Sequence, residues 1–322
     1  MENHFTLSVI IPVYNCERFL EKTIASVIAQ PEVTEIVVVN DGSTDKTGLL
    51  LDQLQKEIPI LKIFHHQNKW NKGRSASRNL GIQKATGYFI AFLDADDYFL
   101  PNRFANDIKL FQENEKCDGV YNAVGFHFYR TITTEEQSQL KLNTMTTGIE
   151  PDSLFDALIS GKYGFFHIDG LTVKKSMFDA TGLFNETLVV SEDSDLFWKM
   201  ALKTRLVGGV LEEPVAKRGI HDANIFNRDD LYQIYVIKMY ESLIAWSSNN
   251  SIPLAKIDTL LKWIWLLKFK QKNGLLQNTI YWSKLFFENQ KLLFTYLSIK
   301  YFPIIRQRQI LFPFLYRKNQ NK

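Results

Sequence analysis

A chain of 322 residues that is 45% hydrophobic and 23% charged is typical of one large globular domain or two modest ones. The two cysteines, Cys16 and Cys117, exclude a disulfide framework and a cysteine-based zinc site. The net charge of +3 is unevenly distributed along the chain. Residues 231–322 contain 14 Lys/Arg and 3 Asp/Glu, a net charge of +11, whereas residues 1–230 have a net charge of −8. We therefore expect the basic part to contact an anionic membrane surface or nucleic acid.

The N-terminal end lacks the features of a secretory signal peptide, because no basic segment precedes the first apolar run. The chain also has no run of about 18 or more apolar residues, which predicts that no helix spans a membrane. Together with the cysteine content, these features indicate a cytoplasmic protein. The basic C-terminal part allows a peripheral position at the inner face of the cell membrane.

Strands alternate with helices in the first third of the chain. Four apolar, largely β-branched runs predict strands buried on both faces, at Leu7–Val13, 35–40, 60–65 and 88–93. Helices are predicted around 20–28, after the turn at 41–45, and at 75–85 behind a polar loop at 68–74. Such βαβ units predict a mostly parallel sheet flanked by helices.

The middle of the chain is less regular. Helices are predicted at 101–114, 151–159 and 191–202, and strands at 119–129, 171–173 and 206–211. The stretch 131–148 is rich in Thr, Gln and Glu without periodicity, which predicts a loop or linker. After Asp230, helical segments rich in Leu, Trp and Phe alternate with Lys and Arg.

The most unusual feature is the acidic cluster Asp94, Asp96 and Asp97, directly after the fourth predicted strand. Carboxylates at the end of a buried strand are costly unless they are paired, hydrated or metal-bound. Ligands of open parallel sheets bind beyond the carboxyl ends of the strands, where Tyr14 and Asp41 are also expected. Because Mg²⁺ and Mn²⁺ prefer oxygen ligands, the cluster predicts a divalent cation site. The alternative is a set of capping residues for the next helix.

Four motifs, in this order, carry a resemblance to a known family. They are SVIIPVYN, EIVVVNDGSTD, NKGRSASRNLGIQKATGYFIAFLDADD and SEDSDLFWKM. Each is weak alone, but their order and spacing resemble the inverting glycosyltransferases of family 2. The resemblance covers about the first two thirds of the chain. It implies an α/β fold of the GT-A type, with a Rossmann-like, mostly parallel sheet, to which this chain adds an α-helical C-terminal extension.

The resemblance implies metal-dependent transfer of a sugar, of the hexosyltransferase type, from a nucleotide-diphosphate donor to a hydroxyl acceptor, with inversion. The nucleotide is usually uridine diphosphate in similar enzymes. Mn²⁺ or Mg²⁺ would neutralise the departing diphosphate. The family's DxD motif corresponds to Asp94-Ala95-Asp96, and the implied metal ligands are Asp96 and His221. The implied donor-binding residues are Pro12, Tyr14, Asp41, Arg78 and Asp94.

The resemblance assigns proton transfer to the later acidic pair. The acceptor hydroxyl must lose its proton as it attacks, and a nearby carboxylate can take it as general base. In the family's ED motif the second acid has this role, which here is Asp193. Glu192 and Asp97 would contact the acceptor or support the site. The alternative for the acidic pair is a helix first turn, which favours acids through the dipole. The alternative for His221 is a solvated loop residue.

Two other functions remain open from the sequence. A sugar-nucleotide nucleotidyltransferase also uses a parallel sheet and metal-binding acids, but it would need a Gly-rich phosphate loop where this chain has Tyr14-Asn15. A non-catalytic binding protein on the same fold is the second alternative. The expected partners are a nucleotide-sugar donor and a glycan, lipid-linked or protein-linked acceptor in surface-polysaccharide synthesis.

We divide the chain into three parts: a nucleotide-sugar-binding half at 1–130, an acceptor or catalytic half at 131–228, and a helical basic-aromatic region at 229–322. Most aromatic residues of the last part are expected to pack a helical subdomain. For 301–322 we predict an interfacial helix attracted to anionic lipid, with a homo-oligomer contact as the alternative. A nucleic-acid partner is not expected, because no base-reading module is present.

Overall fold

The computed structural model describes residues 5–222, 224, 229–271 and 273–311. The chain divides into two units, Met1–Asp229 and Asp230–Lys322. Among the described residues, all strands lie in the first unit, and the second unit is helical. No helix in the described ranges is both long enough and apolar enough to cross a membrane.

The first unit contains the strands β1 (Leu7–Val13), β2 (Val33–Asn40), β3 (Leu61–His65), β4 (Phe89–Phe92), β5 (Tyr98–Phe99), β6 (Gly119–Tyr121), β7 (Val124–Phe128), β8 (Leu171–Lys174), β9 (Leu206–Gly208) and β10 (Ala216–Ile220). Its helices are α1 (Leu20–Ile28), α2 (Thr47–Glu57), α3 (Arg74–Lys84), α4 (Ala105–Glu113), α5 (Thr134–Gln139), α6 (Pro151–Ser160), α7 (Met177–Thr181) and α8 (Glu192–Lys203).

The main sheet has the order β3-β2-β1-β4-β8-β6-β9. The neighbours β1–β2, β2–β3, β1–β4 and β6–β9 are parallel, and β8 is antiparallel to both β4 and β6. A second, smaller sheet has the order β5-β10-β7. The mostly parallel sheet flanked by helices is therefore confirmed.

The centre of the main sheet is buried because its strands are apolar on both faces. In β4 all four residues are buried, and in β1 only Pro12 is partly exposed. The helix α1 packs Leu20, Ile24 and Val27 into the same core. Each fully buried aliphatic side chain contributes about 1.5–3 kcal/mol. This rigid sheet fixes the positions at which the loops after β1, β2 and β4 begin.

Several local predictions are wrong. The single strand predicted at 119–129 is two strands, β6 and β7, which belong to different sheets. The helix predicted to open at Pro101 begins at Ala105. The predicted loop at 131–148 contains α5, which Thr133 and Glu136 stabilise through a capping box. The strand β10 was not predicted, although it lies between β5 and β7.

The helices of the second unit are α9 (Asp229–Asn249), α10 (Leu254–Lys270), α11 (Leu275–Glu288), α12 (Gln290–Leu293), α13 (Tyr296–Lys300), α14 (Pro303–Arg306) and α15 (Arg308–Leu311). Trp282 and Tyr301 are buried in the second unit, with ring centroids 5.3 Å apart, and Tyr301 Oη donates a hydrogen bond of 2.8 Å to Asp258 Oδ1. Packing is thus the role of these two aromatic residues.

The interfacial helix predicted at 301–322 is not continuous over its described part. Tyr301 belongs to the core of the second unit, and α14 and α15 are short separate helices. The rest of that prediction, at 312–322, lies outside the described residues.

Candidate active site

The carboxyl ends of the central strands meet at one edge of the main sheet. Val13 at the end of β1 pairs with Asn40 at the end of β2, and Ile10 pairs with Phe92 at the end of β4. A cleft of about 370 Å³ lies beyond this edge. Three of the predicted donor-binding residues line it, and they are Pro12, Tyr14 and Asp41.

Asp41 shapes one wall of the cleft. Its carboxylate accepts hydrogen bonds from the backbone N–H groups of Lys72 (2.7 Å) and Gly73 (2.8 Å). Gly73 has a φ of +86°, which an L side chain rarely adopts. Asp41 therefore fixes the loop that precedes α3, and this loop forms part of the cleft lining.

Arg78 on α3 connects the acidic cluster to α8. Its Nη2 donates to Asp94 Oδ1 at 2.6 Å, and its Nη1 donates to Glu192 Oε1 at 3.0 Å. Arg74, one turn earlier, donates from Nη2 to Glu192 Oε2 at 3.0 Å. Arg78 is only 1% exposed, so its charge requires these carboxylate partners. The network brings Asp94 and the start of α8 together although they are distant in sequence.

Asp193 lies in the first turn of α8, after Ser191 in a left-handed conformation with a φ of 64°. Its Oδ1 accepts a hydrogen bond of 2.7 Å from the backbone N–H of Ser194. Burial by itself would raise the pKa of Asp193, but Arg74 and Arg78, together with His167 and the Ser194 N–H, outweigh it and hold that pKa below the ordinary value. Asp193 is therefore ionised at neutral pH, as a proton acceptor must be.

Asp96 and His221 form a second group beyond the same strand end. Asp96 Oδ2 lies 2.8 Å from His221 Nε2 and accepts a hydrogen bond of 3.2 Å from Asn224 Nδ2. The two side chains remain accessible, at 23% and 19% exposure. Two adjacent ligands of an octahedral Mg²⁺ or Mn²⁺, at about 2.1 Å from the ion, lie about 3 Å apart. The chemistry and spacing of this pair thus fit a divalent cation.

Asp97 is fully buried behind this pair and faces Asp169, a residue that the motifs did not reveal. Asp97 Oδ1 accepts the N–H of Gly219 at 2.7 Å, and Asp169 Oδ1 accepts the N–H of Asp94 at 3.2 Å. Burial and the negative charge of Asp169 raise the pKa of Asp97 well above its ordinary value, and the two side chains are hydrogen-bonded to each other. The pair holds the backbone of the acidic cluster against β10 and the turn before β8.

His167 completes this buried group, with Nδ1 3.1 Å from Asp169 Oδ2. Ligand atoms of His167, Asp97 and Asp169 lie within 4.8 Å of one another, which is close enough to hold a metal ion. The backbone hydrogen bonds that the two acids accept also give the group a supporting role. Sequence reasoning missed His167 and Asp169 because the segment HIDG has no spacing that distinguishes it.

Comparison with known proteins identifies the family. The profile described as "Glycosyl transferase family 2" matches residues 8–168, which is half of the chain and includes every motif up to the acidic cluster. The chain belongs to glycosyl transferase family 2. The family and the α/β GT-A fold expected from the four motifs are confirmed.

Similar proteins occur in several bacteria. GgaA of Bacillus subtilis, described as a minor teichoic acid biosynthesis protein, is 31% identical over 256 residues, which cover 76% of this chain and 55% of GgaA. An uncharacterized glycosyltransferase of Rickettsia conorii is 31% identical over 244 residues, which cover 74% of this chain and 37% of that protein. The chain thus spans only part of the length of these relatives.

Solved structures of another bacterial protein share the fold. The crystal structure of residues 1–349 of TarS from S. aureus, in complex with UDP-GlcNAc, superposes with a TM-score of 0.62 and 18% identity. The match covers 92% of this chain and 82% of the TarS chain. At this identity the likeness establishes the fold alone.

Proposed function

We propose that the chain is a metal-dependent inverting glycosyltransferase that moves a sugar from a UDP-sugar to a hydroxyl acceptor in surface-polysaccharide or glycoconjugate synthesis. The proposal rests on one observation: the cleft, the Asp96–His221 pair that fits a divalent cation, and the ionised carboxylate of Asp193 lie at one edge of the main sheet. The UDP-GlcNAc complex of TarS supports the donor class, and the teichoic acid role of GgaA supports the acceptor class.

In the proposed donor site, the uridine lies in the cleft. Tyr14 is about half exposed and offers a ring against the base, beside Pro12, and Asp41 offers a carboxylate to a base N–H. Asp94 would contact the ribose of the donor. Arg78 is buried, so it acts by positioning Asp94 and Glu192 and not by contact with the donor.

In the proposed metal site, Asp96 and His221 hold Mn²⁺ or Mg²⁺. When bound, the ion neutralises the negative charge of the departing diphosphate. Asn224 holds Asp96 in place through its hydrogen bond to Oδ2, and Phe19 stacks on the imidazole of His221 with ring centroids 4.9 Å apart. These contacts orient both ligands before an ion arrives.

In the proposed reaction, a carboxylate oxygen of Asp193 takes the proton of the acceptor hydroxyl. The acceptor oxygen forms a bond to the anomeric carbon while the bond from that carbon to the diphosphate oxygen breaks, so the configuration inverts and UDP leaves. Glu192 lies next to the base, and its charge is compensated by Arg74 and Arg78. We further propose that the reaction takes place in the cytoplasm at the inner face of the cell membrane.

The test uses Asp193→Asn, with Asp52→Asn on the exposed face of α2 as the matched control. Asp193→Asn should bind UDP as the unchanged protein does in calorimetry, but lose about 10²–10⁴-fold in transfer, because only the proton acceptor is removed. Unchanged turnover would contradict the role of Asp193. Release of pyrophosphate in place of UDP would identify a nucleotidyltransferase, and no nucleotide binding with Mn²⁺ would identify a non-catalytic protein.

A further inference from the structure

The helix α11 carries apolar side chains on two opposite faces. One face is buried in the second unit through Asn278, Trp282, Leu285 and Phe286. The other face exposes Leu276 (73%), Ile280 (62%) and Phe287 (64%), which we call the outer stripe. Spacings of four and seven residues place these three side chains within about 40° of one another around the helix. The stripe is therefore continuous and points away from the core.

An apolar groove adjoins the outer stripe within the second unit. It has a volume of about 420 Å³, and its lining includes Phe287 of the stripe together with Ile299, Phe302 and Ile305. Single exposed apolar residues are normal on protein surfaces, whereas a continuous apolar surface with a polar rim marks an interaction site. Within the described residues, no helix or strand covers the stripe, since all three of its side chains remain more than half exposed.

The charge of this region indicates which partner covers it. Residues 275–311 contain five basic residues and one acidic residue, and residues 231–322 have a net charge of +11. Lys284 lies one turn from both Ile280 and Phe287 and therefore flanks the stripe. A second copy of this unit would bring like charges together, which opposes association. An anionic lipid surface matches both the charge and the apolar side chains.

We propose that the outer stripe and the adjoining groove dock the protein on a membrane containing anionic phospholipid. The apolar side chains enter the headgroup boundary, and the surrounding lysine and arginine side chains contact the lipid phosphates. The outer stripe and the groove would be the surface that holds the protein at the membrane in the proposed function. Only the biological purpose of docking rests on that proposed function. Docking requires neither donor nor acceptor, so it is measured without the transfer reaction.

The experiment measures co-sedimentation of the full chain with vesicles of phosphatidylcholine containing about 30 mol% phosphatidylglycerol, and with vesicles of phosphatidylcholine alone. The unchanged protein should bind the anionic vesicles at least about tenfold more tightly, and added salt should weaken that binding. Equal binding to both vesicles, or binding to neither, overturns the proposal.

The stripe is tested by the triple substitution Leu276→Ser, Ile280→Ser and Phe287→Ser. It should weaken binding to the anionic vesicles at least about tenfold, because the apolar contribution is lost while the charge is unchanged. The matched control replaces three exposed apolar residues of the first unit by serine, namely Ile28, Leu49 and Tyr88, and should bind as the unchanged protein does. Equal loss in both triple variants, or no loss in the first, overturns the role of the stripe.

Two further measurements distinguish a loss of docking from misfolding and from self-association. Thermal unfolding of the stripe variant reports its folding, and if it unfolds early the single variant Phe287→Ser, with an expected severalfold loss, replaces it. Sedimentation equilibrium reports assembly, and a dimer that the stripe variant disrupts without a change in vesicle binding would assign the face to self-association. Asp193→Asn should bind vesicles normally, so a failure of docking and a failure of the catalytic proposal are distinguishable.

Discussion

Arginine side chains on α3 control the charge of the proposed base across the site. Arg74 and Arg78 donate to Glu192, and their positive charges also act on its neighbour Asp193. A carboxylate with a lowered pKa keeps its negative charge at neutral pH, but it is also a weaker base. The geometry therefore favours a base that is ionised at neutral pH. Because this base is weak, it takes the proton only when the acceptor hydroxyl becomes more acidic in the transition state.

Replacement of Arg74 by glutamine should shift the pH dependence of transfer. Arg74 lowers the pKa of Asp193, so its removal raises that pKa. The base is active only when ionised, and activity is lost as the pH falls through its pKa. The acid limb of kcat/KM should thus move to higher pH in Arg74→Gln. Lys56→Gln on α2 is the control, and an acid limb that stays in place would exclude this coupling.

Sequence analysis identified the site residues that belong to motifs with an unusual residue composition and a fixed spacing. Asp96 and His221 lie 125 positions apart, yet the family resemblance associated them, and their side chains are 2.8 Å apart. Asp169 had no such signal, because one acid before a short strand is common. Its importance comes from burial against Asp97, which only the folded chain creates.

At the level of elements, Asn122 separates two strands that the apolar pattern joined. Its Nδ2 donates to Asp107 Oδ1 and to the carbonyl oxygen of Gly170, both at 3.0 Å, and its Oδ1 accepts the N–H of Val210 at 2.8 Å. These bonds hold the chain where it passes from the main sheet into the smaller one. Apolar periodicity reports that a segment is buried, but it does not report which sheet buries it.

Replacement of Asn122 by alanine should destabilise the first unit by about 1–3 kcal/mol, since buried polar partners lose their hydrogen bonds. Urea-induced unfolding measures this difference. Gln55→Ala on the exposed surface of α2 should change the free energy of unfolding by less than about 0.5 kcal/mol. If Asn122→Ala were as stable as that control, the hydrogen bonds of Asn122 would not be what holds the junction.

The elements that sequence analysis predicted well are the ones whose burial is uniform. β1 was predicted with its observed bounds, β2 and β3 end where predicted but begin one or two residues away, and β4 is one residue shorter at each end. β10 was missed because it contains Lys217 and Arg218 and therefore lacks an apolar run. Its position comes from pairing with β5 and β7, which are distant in sequence.

On the scale of the whole molecule, the two units differ in composition and in the origin of their stability. The first unit buries a sheet with residues from both of its faces, and the second buries helices around aromatic residues such as Trp282 and Tyr301. The exposed apolar side chains of the second unit contribute less to its stability than the buried ones, because they keep much of their contact with water. Sequence analysis predicted that this part is helical from its alternation of apolar and basic residues. It could not predict the outer stripe, because that depends on which face of α11 is buried in the folded unit.

Ligand binding should stabilise the first unit through the proposed donor and metal sites. A ligand present at about 100 times its Kd adds about 2.7 kcal/mol to the free energy of unfolding if it binds only the folded state. UDP with Mn²⁺ should therefore raise the Tm more than either alone, because an ion held by Asp96 and His221 would neutralise the negative charge of the diphosphate.

The substitution Asp96→Asn removes one ligand charge and should abolish the additional effect of Mn²⁺ while leaving the smaller effect of UDP alone. Asp52→Asn should respond to both ligands as the unchanged protein does. A calorimetric or dye-based melting curve at fixed protein concentration measures each shift. If Mn²⁺ raised the Tm equally in Asp96→Asn, the ion would have to bind elsewhere, and the buried group of Asp97, His167 and Asp169 would be the place to test next, since its ligand atoms already lie within 4.8 Å of one another.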